Sequence, residues 1–381
     1  MSHTTYFDHA ATTPVHPRVV EAMVPYFTQV FGNPSSVHGF GRRARQAVEK
    51  AREEIAGLLE VEPKSLIFTS GGTEADNMAI IGAATALQEK GRHVITSQVE
   101  HHAVLHACEH LQQLGFEVTY LPVDETGMVR LDDLTEAIRP DTILVSIMYG
   151  NNEVGTIQPI VEIGNLLRER GILFHTDAVQ AFGVLPLRIS QLPVDMLSVS
   201  AHKINGPKGV GALYLGRNIP FTPLLHGGNQ ERKRRAGTEN LAGIVGFAEA
   251  AKIAASEREE RAGKYQQIKD AILTEWKEAG ISFVVNGHPS MVMPHILNVS
   301  FPGIETETML MNLDLAQIAA SSGSACTSGS LEISHVLKAM NLPEERTSSA
   351  IRFSFGITNT VEEAREAAKK VVQIVKRLTK E

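Results

Sequence analysis

Cysteine is nearly absent: of 381 residues, two, Cys108 and Cys326, are cysteine. Two thiols cannot build a disulfide framework or, alone, a structural zinc site, and such usage fits a reducing compartment with one thiol free to react. No apolar run is long enough to span a bilayer, which excludes a membrane-spanning helix. The opening MSHTTYFDHAATTP has no apolar core of the kind a secretory signal carries. An excess of positive charge is also missing. Lys and Arg number 36 against 43 Asp and Glu, a net charge of −7, which does not favour non-specific nucleic-acid binding. There is no short-period repeat, low-complexity tract or long linker. What remains is an ordinary soluble composition, long enough for one large or two ordinary domains. The expectation is a cytoplasmic enzyme without a direct nucleic-acid or membrane partner.

The stretch 194–215, VDMLSVSAHKINGPKGVGALYL, organises the rest. An apolar strand over 194–199 ends in Ser200, Ala201, His202 and Lys203, and a Gly/Pro loop leads to a second apolar run over 209–215. A lysine at the end of a buried strand is costly unless it is used. Desolvation lowers its pKa and makes the amine nucleophilic, ready to condense with an aldehyde as a Schiff base. Ser200 and His202 flank it with groups able to hold a phosphate. The pattern suits attachment of pyridoxal phosphate; a surface lysine past a strand end is the plain alternative.

Along the chain, strands and helices alternate. Residues 6–17 form a polar opening broken by Thr and Pro, expected to pack on the surface. Ala44, Val48, Ala51, Ile55 and Leu59 repeat at helical spacing. A strand over 65–69 runs into Ser70-Gly71-Gly72-Thr73-Glu74 and a helix. Such a turn offers unpaired N–H groups to an anion. Strands follow over 93–97, 116–121, 142–148 and 172–176, with helices over 103–113, 131–138 and 160–170 between them. This alternation predicts an α/β fold with a mostly parallel sheet covered on both faces, whose ligands lie beyond the carboxyl ends of the strands. Those ends carry His101, Asn152, Asp177 with Gln180, and Lys203. Asp177 suits the ring nitrogen of a pyridoxal, which must stay protonated to act as an electron sink. His101 can stack on the ring, and Asn152 and Gln180 can reach its phenolic oxygen.

A basic run, 232–235, precedes Ala236, Gly237 and Thr238. It is either a solvated positive loop or the support for a phosphate contact by Thr238. A long helical stretch from Asn240 to about Gly280, with breaks, leads into a smaller α+β part. Strands are expected there over 281–285, 295–300, 315–319 and 351–355, and helices over 305–313 and from a capping box at Thr360 and Glu363. The boundaries expected are 15–256 for a large cofactor-binding domain, and 1–14 with 257–381 for a small domain. Within the latter, nine of the ten residues 321–330 are small, a composition that predicts an exposed, mobile loop. Cys326 at its centre is then accessible, and its thiolate is the reactive form. Cys108, inside HAVLHACEHL, is expected to be packing. Arg352, in an apolar strand, wants an anion; a substrate carboxylate or a structural salt bridge would serve.

Together the motifs resemble the cysteine desulfurases, pyridoxal-phosphate enzymes of the class V aminotransferase type. The resemblance runs through DHAATTP (8–14), GNPSSVH (32–38), FTSGGTEADN (68–77), EHHAV (100–104) and NNEVGTIQPI (151–160). It continues through HTDAVQ (175–180), SVSAHKINGPKGVGALY (198–214), RAGTEN (235–240), SSGSACTSG (321–329) and IRFSFG (351–356). It implies fold type I with a seven-stranded sheet and pyridoxal 5'-phosphate attached at Lys203. It implies phosphate held by Gly72, Thr73, Ser200 and His202, with Thr238 donated by the partner subunit of a homodimer. Asp177 would sit at the ring nitrogen, His101 on the ring, Asn152 and Gln180 near ring oxygen and substrate, and Arg352 on the substrate carboxylate. Cys326 would accept sulfur from L-cysteine as a persulfide, with alanine released, and could transiently ligate an iron–sulfur cluster. The sulfur would pass to an acceptor protein for cluster assembly or tRNA thiolation. A selenocysteine lyase or a small-amino-acid aminotransferase is the alternative within the same chemistry, and a non-catalytic scaffold the alternative outside it.

Overall fold

The computed structural model describes residues 4–323 and 333–379. A two-residue strand β1 (Thr5–Tyr6) opens the chain. The helix Gly39–Leu59 follows, with its nitrogen-terminal N–H of Gly41 accepted by His38 and its end turned by Glu60 at φ 57°. Ala44, Val48, Ala51, Ile55 and Leu59 lie buried along one face, as their spacing requires.

Seven strands then build the main sheet: β2 (Leu66–Thr69), β3 (His93–Ser97), β4 (Glu117–Leu121), β5 (Thr142–Ser146), β6 (Leu173–Asp177), β7 (Met196–Ser200) and β8 (Gly211–Leu215). Their spatial order is β2-β8-β7-β6-β5-β3-β4. The contacts from β7 to β4 are parallel, and β8 runs antiparallel to both neighbours. The inner strands are buried along almost their whole length, because helices cover both faces. On one face the helices Gly39–Leu59, Ile160–Arg170 and Leu241–Ser256 close a large core. On the other, Gly72–Asn77, continued through a π-helical segment Met78–Gly82 into Ala83–Leu87, packs with His102–Gln113. Cys108 is fully buried there, and burial pushes its thiol up to about 12, so it is an inert packing residue.

The helical stretch expected from Asn240 with breaks is two helices, Leu241–Ser256 and Arg258–Glu278, parted at Glu257 where φ is −104° and ψ 5°. The carboxyl-terminal part pairs β9 (Val284–Asn286), β10 (Ile296–Ser300) and β12 (Ala350–Ser354) antiparallel in the order β12-β10-β9. The strand expected over 315–319 shrinks to β11 (Ile318–Ala319), because the helix Thr306–Leu315 runs on to Leu315. β11 pairs with β1, and Asp8 bridges to Ser354, so the amino terminus belongs to this part. Its core is Trp276, Phe301, Phe353 and Phe355 with the final helix, Val361–Thr379. The capping box forms as read: Thr360 N–H donates to Glu363 and Glu363 N–H to Thr360 Oγ1, both at 3.1 Å.

One buried ion pair ties the sheet to the segment after β8. Arg52 forks onto Glu231 at 2.7 and 2.8 Å, with side chains 6% and 3% exposed, and Glu231 also accepts the N–H of Phe68. Removing one member leaves the other charge buried alone. Glu231→Ala is therefore expected to cost about 3–5 kcal/mol, read as a shifted urea midpoint, and a loss below about 1 kcal/mol would contradict the pair's role.

Candidate active site

The carboxyl ends of β3, β5, β6 and β7 open into a cleft of about 440 Å³. Of the residues expected at a site, it is lined by Gly72, Thr73, His101, Asn152, Asp177, Gln180, His202, Lys203 and Arg352. These come from seven separate places in the sequence; those that follow strands of the main sheet meet because the strands end at the same edge, and Arg352 joins them from β12 of the smaller sheet.

Lys203 follows β7 in a single 3-10 turn, Ala201–Lys203. Its Nζ donates to the carbonyl oxygens of Ala10 and Ala11, the latter at 2.8 Å. Burial lowers its pKa to about 8, helped by the Arg352 charge and opposed by Asp177 and Asp8. Near neutral pH about one amine in ten is therefore unprotonated and nucleophilic. Asp177, at the end of β6, accepts the Val179 N–H at 2.9 Å, and burial raises its carboxyl to about 6, opposed by that bond and by Lys203.

His101 caps the helix His102–Gln113: its Nδ1 accepts the Ala103 N–H at 3.1 Å. That bond places the ring proton on Nε2. Burial first, then Lys203, lowers its pKa to about 4, so it is a neutral imidazole. Glu100 before it is locked by Ser97 Oγ–H at 2.6 Å and Met148 N–H at 2.9 Å, with its own pKa raised by burial to about 8. Gln180 gives one amide hydrogen to Ala10 O at 3.0 Å and accepts from His295 Nε2 at 3.2 Å, leaving its second hydrogen for the cleft.

Arg352, in β12, forms the salt bridge that is one of the two alternatives read from the sequence, and it also lines the cleft. Its Nη2 donates to Asp8 Oδ1 at 2.7 Å, its Nη1 to Asn152 O at 2.8 Å, and the guanidinium lines the cleft. The opening segment is thus not surface packing: Asp8, Ala10 and Ala11 are cleft walls. Their partners lie far away in the chain, and a polar, Pro-broken stretch carries no periodic signal of burial.

The residues fit a phosphorylated aldehyde cofactor. Ser200 Oγ is buried with no protein partner beside Gly72, whose added Cβ would stand 3.8 Å from Ser200 Cβ and 2.7 Å from Val179. Gly72 therefore brings backbone N–H groups to a place no side chain could share. His202, neutral because burial first and Lys203 next lower its pKa to about 4, hydrogen-bonds Thr12 and faces the same end. Thr238 is exposed and is not among the residues lining this cleft. Cys326 lies outside the described residues, but Ser321 and Gly323 before it and His335 after it line the cleft. Gly323 has φ 95°, a backbone that suits glycine, and an added Cβ would meet Glu153 at 2.9 Å. Among the described residues no group of three or more His, Cys, Asp or Glu is arranged to hold a metal ion.

The sequence model of the aminotransferase class-V family matches residues 5–366. The putative cysteine desulfurase IscS 1 of Bacillus subtilis (strain 168) is 55% identical over 375 residues, 98% of this chain and 99% of that protein. The chain is a class-V aminotransferase of the cysteine desulfurase family. Solved structures agree with that placement. A NifS-like protein superposes with a TM-score of 0.93 at 39% identity, covering 98% of this chain and all of that one. SspA in complex with cysteine gives 0.81 at 38% identity, covering 92% and 99%. Cysteine desulfurases of this family depend on pyridoxal 5'-phosphate and release sulfur from cysteine.

The lowered lysine pKa has a measurable consequence. Reattachment of pyridoxal phosphate to the stripped protein is expected to speed up about tenfold from pH 7 to pH 9 and then level off, since the free amine saturates above pH 8. An unshifted lysine would instead gain about a hundredfold over that interval without a plateau. Stopped-flow absorbance distinguishes the two.

Proposed function

We propose that the cleft desulfurates L-cysteine with each wall in a separate role, and that Cys326 keeps the sulfur. The observation that carries this is the meeting of Lys203, Asp177 and Arg352 at one strand edge, where the chain on both sides of Cys326 also arrives. Pyridoxal phosphate, when bound, supplies an aldehyde for an amine and a ring that withdraws electrons from the substrate's α-carbon. Lys203 would hold that aldehyde, and its amine would carry the substrate's α-proton. Asp177 keeps a proton on the ring nitrogen. His101 would stack on the ring, and its Nε2–H can donate a hydrogen bond to the substrate's sulfur. Gly72, Thr73, Ser200 and His202 hold the phosphate; Asn152 and Gln180 hold the ring oxygen side.

Cys326 takes sulfur as its thiolate. A bond forms between Cys326 Sγ and the substrate sulfur, the substrate's Cβ–S bond breaks, and the carbon left behind is protonated, so L-cysteine and a thiol give L-alanine and a persulfide. Two residues, Ser324 and Ala325, lie between Gly323 and Cys326, so the chain between them spans at most about 10 Å. The persulfide passes to an acceptor protein of the iron–sulfur or tRNA-thiolation systems, and Cys326 can transiently ligate a cluster.

Residues 15–256 form the cofactor domain, and 1–14 with 257–381 the domain that carries the thiol. The working form is a homodimer with Thr238 reaching the partner's phosphate. Its exposure supports this, as do the exposed apolar side chains of Val24, Phe27, Phe31 and Phe40. No described helix is long and apolar enough to cross a membrane; we place the enzyme in the cytoplasm.

Arg352→Lys tests the substrate placement. It keeps a charge but loses the fork that binds a carboxylate. The KM for cysteine is expected to rise about tenfold or more, with a smaller change in kcat. A KM unchanged in steady-state alanine release would remove Arg352 from the substrate.

A further inference from the structure

The basic run 232–235 takes no part in lining the cleft, yet Arg235 ends on its anion-facing turn. Arg235 Nε donates to Glu74 Oε1 at 2.7 Å and Nη2 to Glu74 Oε2 at 3.1 Å. Both side chains are mostly covered, 19% and 15% exposed. Glu74 stands in the first turn of the helix whose leading residues, Gly72 and Thr73, line the cleft, and its Oε2 also accepts the Ser70 N–H at 2.6 Å. A carboxylate is thus fixed within one helical turn of N–H groups that face a phosphate. Left unopposed in this partly desolvated place, it would repel the dianion. A guanidinium forked onto both its oxygens cancels that charge.

The segment carrying Arg235 is built to stay in place. Glu231, Arg232 and Lys233 hold left-handed φ values of 44°, 58° and 67°, which non-glycine residues rarely keep without compensation. Glu231 supplies it, through Arg52 and the Phe68 N–H. Phe68 is on β2, two residues before Ser70, so both anchors fall on the one strand–turn–helix unit that presents Gly72 and Thr73.

We infer that Arg235 is a positioning residue for the cofactor's phosphate: it neutralises Glu74, so that Glu74 can fasten the turn through Ser70 without repelling the anion. The inference rests on the reading that Gly72 and Thr73 hold phosphate. Glu74 stays ionised: burial would raise its pKa, but the bonds from Arg235 and Ser70 outweigh it and leave the carboxyl below its ordinary value.

The test titrates the full chain, stripped of cofactor, with pyridoxal phosphate and with unphosphorylated pyridoxal. Arg235→Gln is expected to weaken pyridoxal phosphate about tenfold or more while moving pyridoxal by less than about twofold. Glu74→Gln is expected to bind pyridoxal phosphate as well as wild type or better. Joining the two substitutions should recover affinity to within about threefold of wild type, because no net charge then remains beside the turn. Equal losses for both ligands, or a double variant weaker than Arg235→Gln, would make the pair merely structural and overturn the inference. Thr73→Val separates the underlying reading: it should weaken pyridoxal phosphate selectively. If Thr73→Val does so and Arg235→Gln does not, the inference fails alone; if Thr73→Val has no effect, the phosphate reading fails with it. Should Arg235→Gln not fold, Glu74→Gln decides, since weaker pyridoxal phosphate binding there overturns the inference.

Discussion

Cys326→Ala is expected to stop catalytic release of alanine from L-cysteine while the protein keeps its cofactor colour. In the proposed roles the cleft residues bind cysteine and loosen its α-proton, and the one thiol among the described residues, Cys108, is buried between the sheet and the helix His102–Gln113, with its pKa pushed up to about 12. Without an acceptor the sulfur has nowhere to go. Loss of the nucleophile in a covalent mechanism costs on the order of a thousandfold or more in kcat. Proton exchange at the substrate's α-carbon should survive, because Lys203 and Asp177 are untouched. Deuterium incorporation into cysteine without alanine is therefore the signature. Wild-type alanine release from this variant would show that the sulfur leaves by another route.

Lys203→Ala should remove both covalent retention of the cofactor and turnover. In the proposed reading the amine does two things that no described neighbour can replace. His101 is a neutral imidazole of pKa about 4, too weak a base for the α-proton and unable to hold the aldehyde as an amine does. His202 is similarly depressed to about 4. Loss of an oriented base alone costs about 10²–10⁴-fold, and loss of the attachment adds to it. Alanine release should fall by at least about a thousandfold, and the chromophore should wash away on gel filtration, with the far-ultraviolet circular dichroism unchanged. Retained colour would show that another amine holds the cofactor.

Much of this could be read before any coordinates. The strands of the main sheet are continuous apolar runs that end in polar residues, and parallel packing turns each such end into a wall of one cleft. Hence His101, Asn152, Asp177 and Lys203 were legible from their places alone. The amphipathic helix Gly39–Leu59 and the capping box at Thr360 were legible for the same local reason. What escaped depends on pairing across long stretches of chain. Asp8 meets Arg352 across 344 residues and Arg235 meets Glu74 across 161, and neither pairing leaves a period in the sequence. The opening segment reads as polar surface until its carbonyls are seen to receive Lys203. A break in the helical stretch after Asn240 is legible, but its place at Glu257 is not, since an acidic residue between two helical patterns carries neither Gly nor Pro to mark it.

The most direct measurement is the mass of the two cysteine-bearing peptides after one turnover with L-cysteine and thiol alkylation. One added sulfur atom on the Cys326 peptide, matched one for one by alanine and absent from the Cys108 peptide, is the expected result. Stoichiometric alanine with the Cys326 peptide unchanged, or with the sulfur found on Cys108, would contradict the account.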